Sequence, residues 1–166
     1  ISKDYNDISI RKKEYLNTIN QLIFYFLKNK KISNFLEIGP GDGQRSLKII
    51  NTLKINNYTM VEESKELFNY FLTINKDVTS INQDYLKYNF NKNSFYYCMS
   101  LWNVFGHIKN KEKLFEKIKN ELKHKGLLIF DVNNRYNISQ YGITSVIKNI
   151  LIDIFTTNKS GNFNLK

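Results

Sequence analysis

Residues Phe35–Gly43 read FLEIGPGDG and place three alternate glycines, Gly39, Gly41 and Gly43, directly after an apolar run. This pattern predicts a strand, a tight turn and a helix start, because glycine adopts backbone angles that other side chains forbid. The free N–H groups at a helix N-terminus point to the same place. Glu37 ends the strand and disfavours a bound phosphate there, because two anions repel. A ligand with a cationic amino-acid end suits this turn.

Two further acidic residues follow predicted strands. Glu62 ends the apolar segment Tyr58–Glu62 and lies 19 residues after Gly43. An acidic residue about 20 residues past a glycine turn commonly holds ribose hydroxyls in doubly wound folds. Asp84 follows a short third strand. Three acidic residues at successive strand ends, without a P-loop lysine, suit a nucleoside that carries an amino acid rather than a polyphosphate.

The ordered series of these segments resembles class I S-adenosylmethionine-dependent methyltransferases. In chain order, the segments that carry the resemblance are Glu37–Gly43, Glu62, Asp84, Ser100–Ile108 and Leu122–Asp131. They cover about residues 30–137 and match the family's first three motifs, its fourth strand and its fifth strand. The sequence departs at His124-Lys125, where the family often has Pro-Gly, and this departure affects a turn rather than the site.

The resemblance implies an enzyme with S-adenosylmethionine as cofactor and S-adenosylhomocysteine as product. Glu37 is expected to contact the amino group of the cofactor or a glycine-turn amide near it, and Glu62 its ribose hydroxyls. The cofactor-binding residues implied are Glu37, Gly39, Gly41, Gly43, Glu62, Asp84, Tyr85, Ser100 and Trp102. The transfer of an activated methyl group needs no metal, and the sequence contains no His/Cys/Asp cluster that suggests a metal site.

Candidate catalytic residues follow the fourth and fifth predicted strands, where ligands bind in open α/β sheets. His107 is a candidate base, since its ordinary pKa lies near neutral pH; a turn histidine is the alternative. Arg135 is a candidate clamp for an anionic acceptor, with a surface ion pair as the alternative. Tyr136 is a candidate hydrogen-bond partner of the acceptor, and a structural role in the turn is the alternative.

Length and composition limit the kinds of protein that this chain can be. A chain of 166 residues with 42% hydrophobic residues fits a single domain over 1–166, with an N-terminal helical cover over about 1–30. No segment approaches the roughly 18 consecutive apolar residues of a membrane span. The single cysteine, Cys98, falls in a predicted strand, so we expect a buried free thiol and a cytoplasmic protein.

The net charge of +10 fits nucleic acid, a membrane surface or an anionic small molecule. Only three of the 25 basic residues are arginines, whereas phosphate and base recognition favours the bidentate arginine fork. The charge therefore indicates a solvated lysine-rich surface and argues against a nucleic-acid partner. It favours a small, anionic acceptor, for instance one that bears a phosphate.

Strand and helix patterns alternate along the chain and predict a doubly wound, Rossmann-like, mainly parallel α/β sheet with helices on both faces. Strands are predicted at about 34–38, 58–62, 78–82, 95–101 and 126–132. Helices are predicted at 11–27, 44–54 and 143–155, and after the capping residues Ser64 and Asn110. Residues 156–166 show no clear strand pair, so the family's closing C-terminal strands are expected to be missing.

A narrower resemblance links Trp102–His107 and Asp131–Asn137 to bacterial capsule methyltransferases associated with O-methyl phosphoramidate decoration. It implies a phosphate-bearing acceptor in capsule or surface-polysaccharide biosynthesis. An RNA methyltransferase, a non-catalytic cofactor-binding domain and an NAD-dependent oxidoreductase are the alternatives. The glycine spacing is not the G-x-G-x-x-G of the oxidoreductases, and Leu101–Val104 lacks the Pro-Pro-aromatic motif of RNA N-methyltransferases. The choice between O- and N-methylation and the oligomeric state stay open.

Overall fold

The structure is a computed structural model that describes residues 10–30, 32–75, 77–134 and 136–155. The described residues divide into two compact units, with the boundary between Asp131 and Val132. The first unit contains an α/β sheet, and the second contains two helices. The single domain predicted for 1–166 stays a prediction.

The first unit contains the predicted strands and helices in the predicted order, together with a short helix (Val104–His107) that was not predicted. Its elements are α1 (Ile10–Leu27), β1 (Ser33–Ile38), α2 (Gln44–Leu53), β2 (Asn56–Glu62), α3 (Lys65–Ile74), β3 (Thr79–Asn82), β4 (Phe95–Ser100), α4 (Val104–His107), α5 (Lys111–Glu121) and β5 (Leu122–Phe130). The predicted caps of α3 and α5 are confirmed, because the side chain of Ser64 accepts from the Leu67 N–H at 3.4 Å and that of Asn110 from the Lys113 N–H at 2.9 Å.

All five strands of the described sheet are parallel, in the order β3-β2-β1-β4-β5. The predicted α/β fold with a parallel sheet is therefore confirmed. The strand order reverses between β1 and β4, and ligands bind outside the carboxyl ends of the strands at such a switch point. The glycine turn lies at this edge, because it directly follows β1.

Alternate residues of the central strands enter two separate cores. On one face, Phe35 of β1 packs with Tyr58 of β2 and with the buried side chains of α1, α2 and α3. On the other face, Leu36 packs with Cys98 of β4 and with the buried side chains of α4 and α5. The Cys98 thiol is buried as predicted, and burial raises its pKa. Because side chains alternate across a strand, Glu37 must share the face of Phe35.

The fifth strand differs from its prediction at both ends. It starts at Leu122, four residues before the predicted start at 126, and it ends at Phe130. Its pairing with β4 shifts between Phe95 and Tyr97, which oppose Leu122 and Leu127. The predicted turn is thus a bulge inside the strand, where Lys125 adopts a φ of 62°. The helix pattern of α5 hid this early start, because Leu122 also fits a helical face.

The second unit contains α6 (Ile138–Tyr141) and α7 (Ile143–Phe155), and the predicted bounds of the last helix are confirmed. Gly142 joins the two helices with a φ of 77°. Residues 156–166, where the closing strands were expected to be missing, lie outside the described residues. No helix within the described ranges has both the length and the hydropathy needed to cross a membrane.

Candidate functional site

The glycine turn connects β1 to α2 through backbone angles in the left-handed region. Gly39, Gly41 and Gly43 have φ values of 67°, 66° and 72°. The Gly39 N–H donates to the Val61 carbonyl at 2.8 Å and so holds the turn against β2. A Cβ at position 39 would lie 2.8 Å from a methyl group of Val104. All three glycines are thus favoured by their backbone angles, and Gly39 and Gly43 are also required by close packing against Val104 and Phe71.

Glu62 lies beside this turn at the end of β2. Its carboxylate accepts from the Gly41 N–H at 3.0 Å and from the Ser64 N–H at 2.8 Å. Burial raises its pKa, and these two backbone N–H groups oppose the shift because they stabilise the ionised form. The carboxylate therefore ties the glycine turn to the start of α3, at the strand end where the sequence predicts ribose binding.

Asp84 and Tyr85 follow β3 and differ in their surroundings. The Asp84 carboxylate is partly exposed, accepts from the Leu86 N–H at 2.9 Å and lies 3.7 Å from the Lys87 ammonium. The Tyr85 side chain is buried, and its hydroxyl donates to Glu121 at 2.6 Å. Asp84 thus keeps a carboxylate near solvent, whereas the Tyr85 hydroxyl is already engaged away from a ligand.

The loop after β4 is held by Asp131, the residue that follows β5. Trp102 and Asn103 adopt φ values of 67° and 56°, which are unusual for residues with side chains. Their N–H groups donate to the two oxygens of the Asp131 carboxylate, at 2.9 and 2.6 Å. The Trp102 ring is 39% exposed, and the Arg45 guanidinium lies over it at 5.6 Å from the ring centre. This carboxylate therefore sets where Trp102 is presented.

Ser100 has a different place from the one expected. Its side chain is buried, and its hydroxyl donates to the Ile38 carbonyl at 3.0 Å. It is not among the residues that line the cavity described below. The hydroxyl therefore joins β4 to β1, and the cofactor contact predicted for Ser100 stays a prediction.

Glu37 also departs from expectation, since its carboxylate is 1% exposed and does not line the cavity. It points into the face of the sheet that α2 covers, where the Tyr58 hydroxyl donates to it. Burial raises its pKa, while the nearby Ser46 and Tyr58 hydroxyls and the Arg45 charge oppose the shift. The direct contact with a ligand amino group predicted for Glu37 therefore does not fit its orientation.

We expect the raised pKa of Glu37 to appear as a pH dependence of stability. A carboxyl with a raised folded pKa stabilises the fold fully below its unfolded value, 4.5, and this contribution is lost as pH rises through the folded pKa. Urea unfolding of the wild type and Glu37→Gln between pH 4 and 8 checks this. The wild type should lose stability relative to the variant as pH rises. A constant difference would contradict the pKa shift.

A cavity of about 960 Å³ opens at the carboxyl ends of β1, β2 and β4, within the size range of small-molecule sites. Its wall includes the predicted residues Gly39, Gly41, Glu62, Asp84, Tyr85, Trp102 and His107. Gly43 is not on the wall and instead packs against Phe71. Within the described ranges, no group of three His, Cys, Asp or Glu side chains is arranged to hold a metal ion.

The remaining catalytic candidates cannot be placed on this wall. Arg135 lies outside the described residues. Tyr136 belongs to the second unit, where its hydroxyl donates to Asp153. The roles of both residues in acceptor binding stay predictions.

Two polar residues of the wall had no assigned role in the sequence analysis. Asn20 of α1 and Arg45 of α2 both line the cavity, and each has a buried polar atom without a hydrogen-bond partner among the described residues. Arg45 flanks the glycine turn, which is a signal that the sequence does contain. Asn20 lies among polar residues on a helix, and its position on the wall follows only from how α1 packs.

Comparison with known proteins gives a family and a set of similar folds. A model described as a methyltransferase domain matches residues 9–148. The comparison with curated proteins gives no match. Among solved structures, the plantazolicin methyltransferase BpumL, in complex with a triazolic desmethylPZN analog and SAH, has a TM-score of 0.67 at 20% identity, covering 86% of this chain and 54% of that chain.

Two further structures are similar. Phosphoethanolamine N-methyltransferase 2 of Haemonchus contortus, in complex with S-adenosyl-L-methionine, has a TM-score of 0.60 at 22% identity, covering 77% of this chain and 36% of that one. An S-adenosylmethionine-dependent methyltransferase of Clostridium acetobutylicum has a TM-score of 0.61 at 21% identity, with coverages of 82% and 56%. At these identities the likeness shows the fold.

This chain spans about half the length of solved structures that it matches, with 48%, 57% and 50% of three of them covered. The family model, in contrast, covers most of this chain, from before α1 into α7. The matched segment includes the glycine turn, the acidic strand ends and the whole cavity wall. The chain belongs to the methyltransferase-domain family.

Proposed function

We propose that this chain is an S-adenosylmethionine-dependent methyltransferase that acts on a small, anionic acceptor. The observation that carries the proposal is the shared wall of one cavity, where the glycine turn, Glu62 and Asp84 lie at the ends of three neighbouring strands. When bound, S-adenosylmethionine supplies a methyl group that its sulfonium already activates. The protein then has mainly to align the acceptor and exclude water.

The residues present fit this cofactor on chemical grounds. Glu62 offers a carboxylate for ribose hydroxyls, and Asp84 keeps a partly exposed carboxylate near the same wall. A buried arginine atom and a buried asparagine atom on the wall have no partner among the described residues. Such atoms are costly to leave unsatisfied, and a polar ligand would satisfy them. Trp102 offers an exposed aromatic face on the same wall.

The assignment of an anionic acceptor rests on the net charge of the chain and on the positions of three candidate residues. His107 lies on the cavity wall, where it can orient or accept a proton, and the sequence places Arg135 and Tyr136 just after β5. The net charge of +10 favours an anion. One similar fold belongs to a phosphoethanolamine N-methyltransferase, whose named substrate bears a phosphate. In its narrower form, the proposal is that the acceptor bears a phosphate and is methylated on O or N. The reaction would then belong to the biosynthesis of a capsule or surface polysaccharide and take place in the cytoplasm.

Removal of the Glu62 side chain should weaken S-adenosylmethionine binding about tenfold or more. A charge-assisted hydrogen bond is worth roughly 1.5–3 kcal/mol, and the carboxylate also holds the Gly41 N–H in place. Isothermal titration calorimetry of the wild type and Glu62→Ala with S-adenosylmethionine measures this loss. Glu66→Ala is the matched control, because it removes an exposed carboxylate from the first turn of α3, away from the cavity wall.

The same titrations separate the proposal from its alternatives. Unchanged affinity in Glu62→Ala would contradict the assignment of Glu62. Tight binding of NAD, with none of S-adenosylmethionine, would indicate an oxidoreductase. Cofactor binding without methyl transfer, after incubation with a cell extract and isotope-labelled cofactor, would indicate a non-catalytic domain. A labelled small molecule in that extract would identify the acceptor, whereas labelled RNA would overturn the small-molecule assignment.

A further inference from the structure

Two residues that line the cavity, Arg45 and Asn20, each carry a buried polar atom that has no hydrogen-bond partner among the described residues, one a donor and the other an acceptor. We propose that Arg45 binds the carboxylate of the amino-acid end of S-adenosylmethionine and that Asn20 accepts a hydrogen bond from its ammonium group. The inference rests on the proposed function and names the part of the cofactor that these two side chains recognise. It moves the recognition of the amino-acid end from Glu37, where the sequence predicts it, to α1 and α2.

Arg45 is placed to present a donor to a ligand. It lies in the first turn of α2, directly after the glycine turn, and lines the cavity. Its Nη1 atom is buried and has no hydrogen-bond partner among the described residues. The Trp102 ring also lines the wall, and its centre lies 5.6 Å from the guanidinium carbon of Arg45. An aromatic face leaves the N–H groups in the guanidinium plane available for a carboxylate.

The charges around Arg45 leave room for a further anion. Glu37 and Asp131 attract the guanidinium, but neither forms an ion pair with it within 4 Å in the part of the chain that the structure describes. Burial lowers the pKa of Arg45 and raises that of Glu37, which weakens the negative charge that Glu37 can offer. A carboxylate from the ligand would supply the missing compensation, since a buried charge is stabilised by a hydrogen-bonded partner.

Asn20 supplies the complementary atom. It is 7% exposed, lies on α1 and lines the same cavity, and its Oδ1 atom has no partner among the described residues. An amide oxygen accepts hydrogen bonds and carries no charge, so it suits an ammonium group that is already paired with its own carboxylate. One unpartnered donor and one unpartnered acceptor match a zwitterion better than they match a phosphate, which is acceptor-only at its ionised oxygens.

The decisive experiment combines variants with ligands that lack one group each. Calorimetry would measure the affinity of the wild type, Arg45→Gln and Asn20→Leu for S-adenosylhomocysteine, its decarboxylated analogue and its deaminated analogue. We expect the wild type to bind the decarboxylated analogue about tenfold more weakly or worse. Arg45→Gln should lose this preference, and Asn20→Leu should lose the preference for the amine. Arg45→Lys should recover part of the carboxylate preference, because it restores the charge without the fork.

Circular dichroism shows whether each variant is folded, and a matched control variant tests whether the loss of any positive charge on α2 has the same effect. Lys48→Gln removes an exposed positive charge from the same helix and should leave all three affinities unchanged. If the wild type binds none of the ligands, the proposed function itself fails. If it binds S-adenosylhomocysteine and the decarboxylated analogue equally, or if folded Arg45→Gln and Arg45→Lys keep the full carboxylate preference, the role of Arg45 is overturned. If folded Asn20→Leu keeps the full preference for ligands that carry the amine, the role of Asn20 is overturned.

Discussion

Gly43→Ala should destabilise the first unit by about 2–5 kcal/mol. The φ of 72° at this position costs a residue with a side chain roughly 1–2 kcal/mol. A Cβ there would also lie 1.9 Å from a ring carbon of Phe71, which is fully buried in the core. Relief of this overlap requires a shift of the ring or of the backbone, and overpacking of this kind costs roughly 1–3 kcal/mol. Urea or thermal unfolding measures the loss.

Gly142→Ala is the matched control for the backbone part of this cost. Its φ is 77°, but a Cβ there would meet nothing within 4 Å. The stability lost in Gly142→Ala should therefore be only the cost of a left-handed backbone conformation for alanine, about 1–2 kcal/mol. If both alanine variants lose the same stability, the overlap with Phe71 carries no cost and the packing of the glycine turn is wrong. Partial recovery in a Gly43→Ala, Phe71→Leu double variant would locate the cost at this contact.

Asp131→Ala should lower the free energy of unfolding by about 2–4 kcal/mol. The same substitution should also weaken ligand binding. Its carboxylate accepts from the Trp102 and Asn103 N–H groups, and a charge-assisted hydrogen bond contributes roughly 1.5–3 kcal/mol, less where solvent competes. Both donors are in left-handed conformations that need support from their surroundings. Without it, the loop that presents Trp102 to the cavity should relax. Unfolding in urea and titration with S-adenosylhomocysteine measure the two effects.

Two comparisons make this result specific. Asp131→Asn keeps one oxygen acceptor of similar shape and should lose less stability than Asp131→Ala. Asp77→Ala removes an exposed aspartate and should change stability by less than about 0.5 kcal/mol. Equal effects of Asp131→Ala and Asp77→Ala would show that the loop after β4 holds its shape without Asp131. A loss of stability with unchanged ligand affinity would separate the loop from the binding site.

The outcome for the candidate site differs from residue to residue, for identifiable reasons. The glycine turn, Glu62 and Asp84 could be predicted, since a turn type and a strand end are local properties of the chain. Glu37 and Ser100 were placed near a ligand by the same reasoning, but the sheet turns Glu37 toward Tyr58 and Ser100 toward the Ile38 carbonyl. Which neighbour a strand residue meets depends on register and strand order, and neither is written in the local pattern.

The order of most strands and helices, the caps Ser64 and Asn110 and the turn with three glycines could be predicted, because each depends on residues within a few positions of one another. The arrangement of the strands in the sheet and the early start of β5 became visible only in the folded chain. It also brought Asp131 to the loop after β4, and Asn20 and Arg45 to one cavity wall. Those relations join residues far apart in the chain, so they exist only once the helices pack on the sheet.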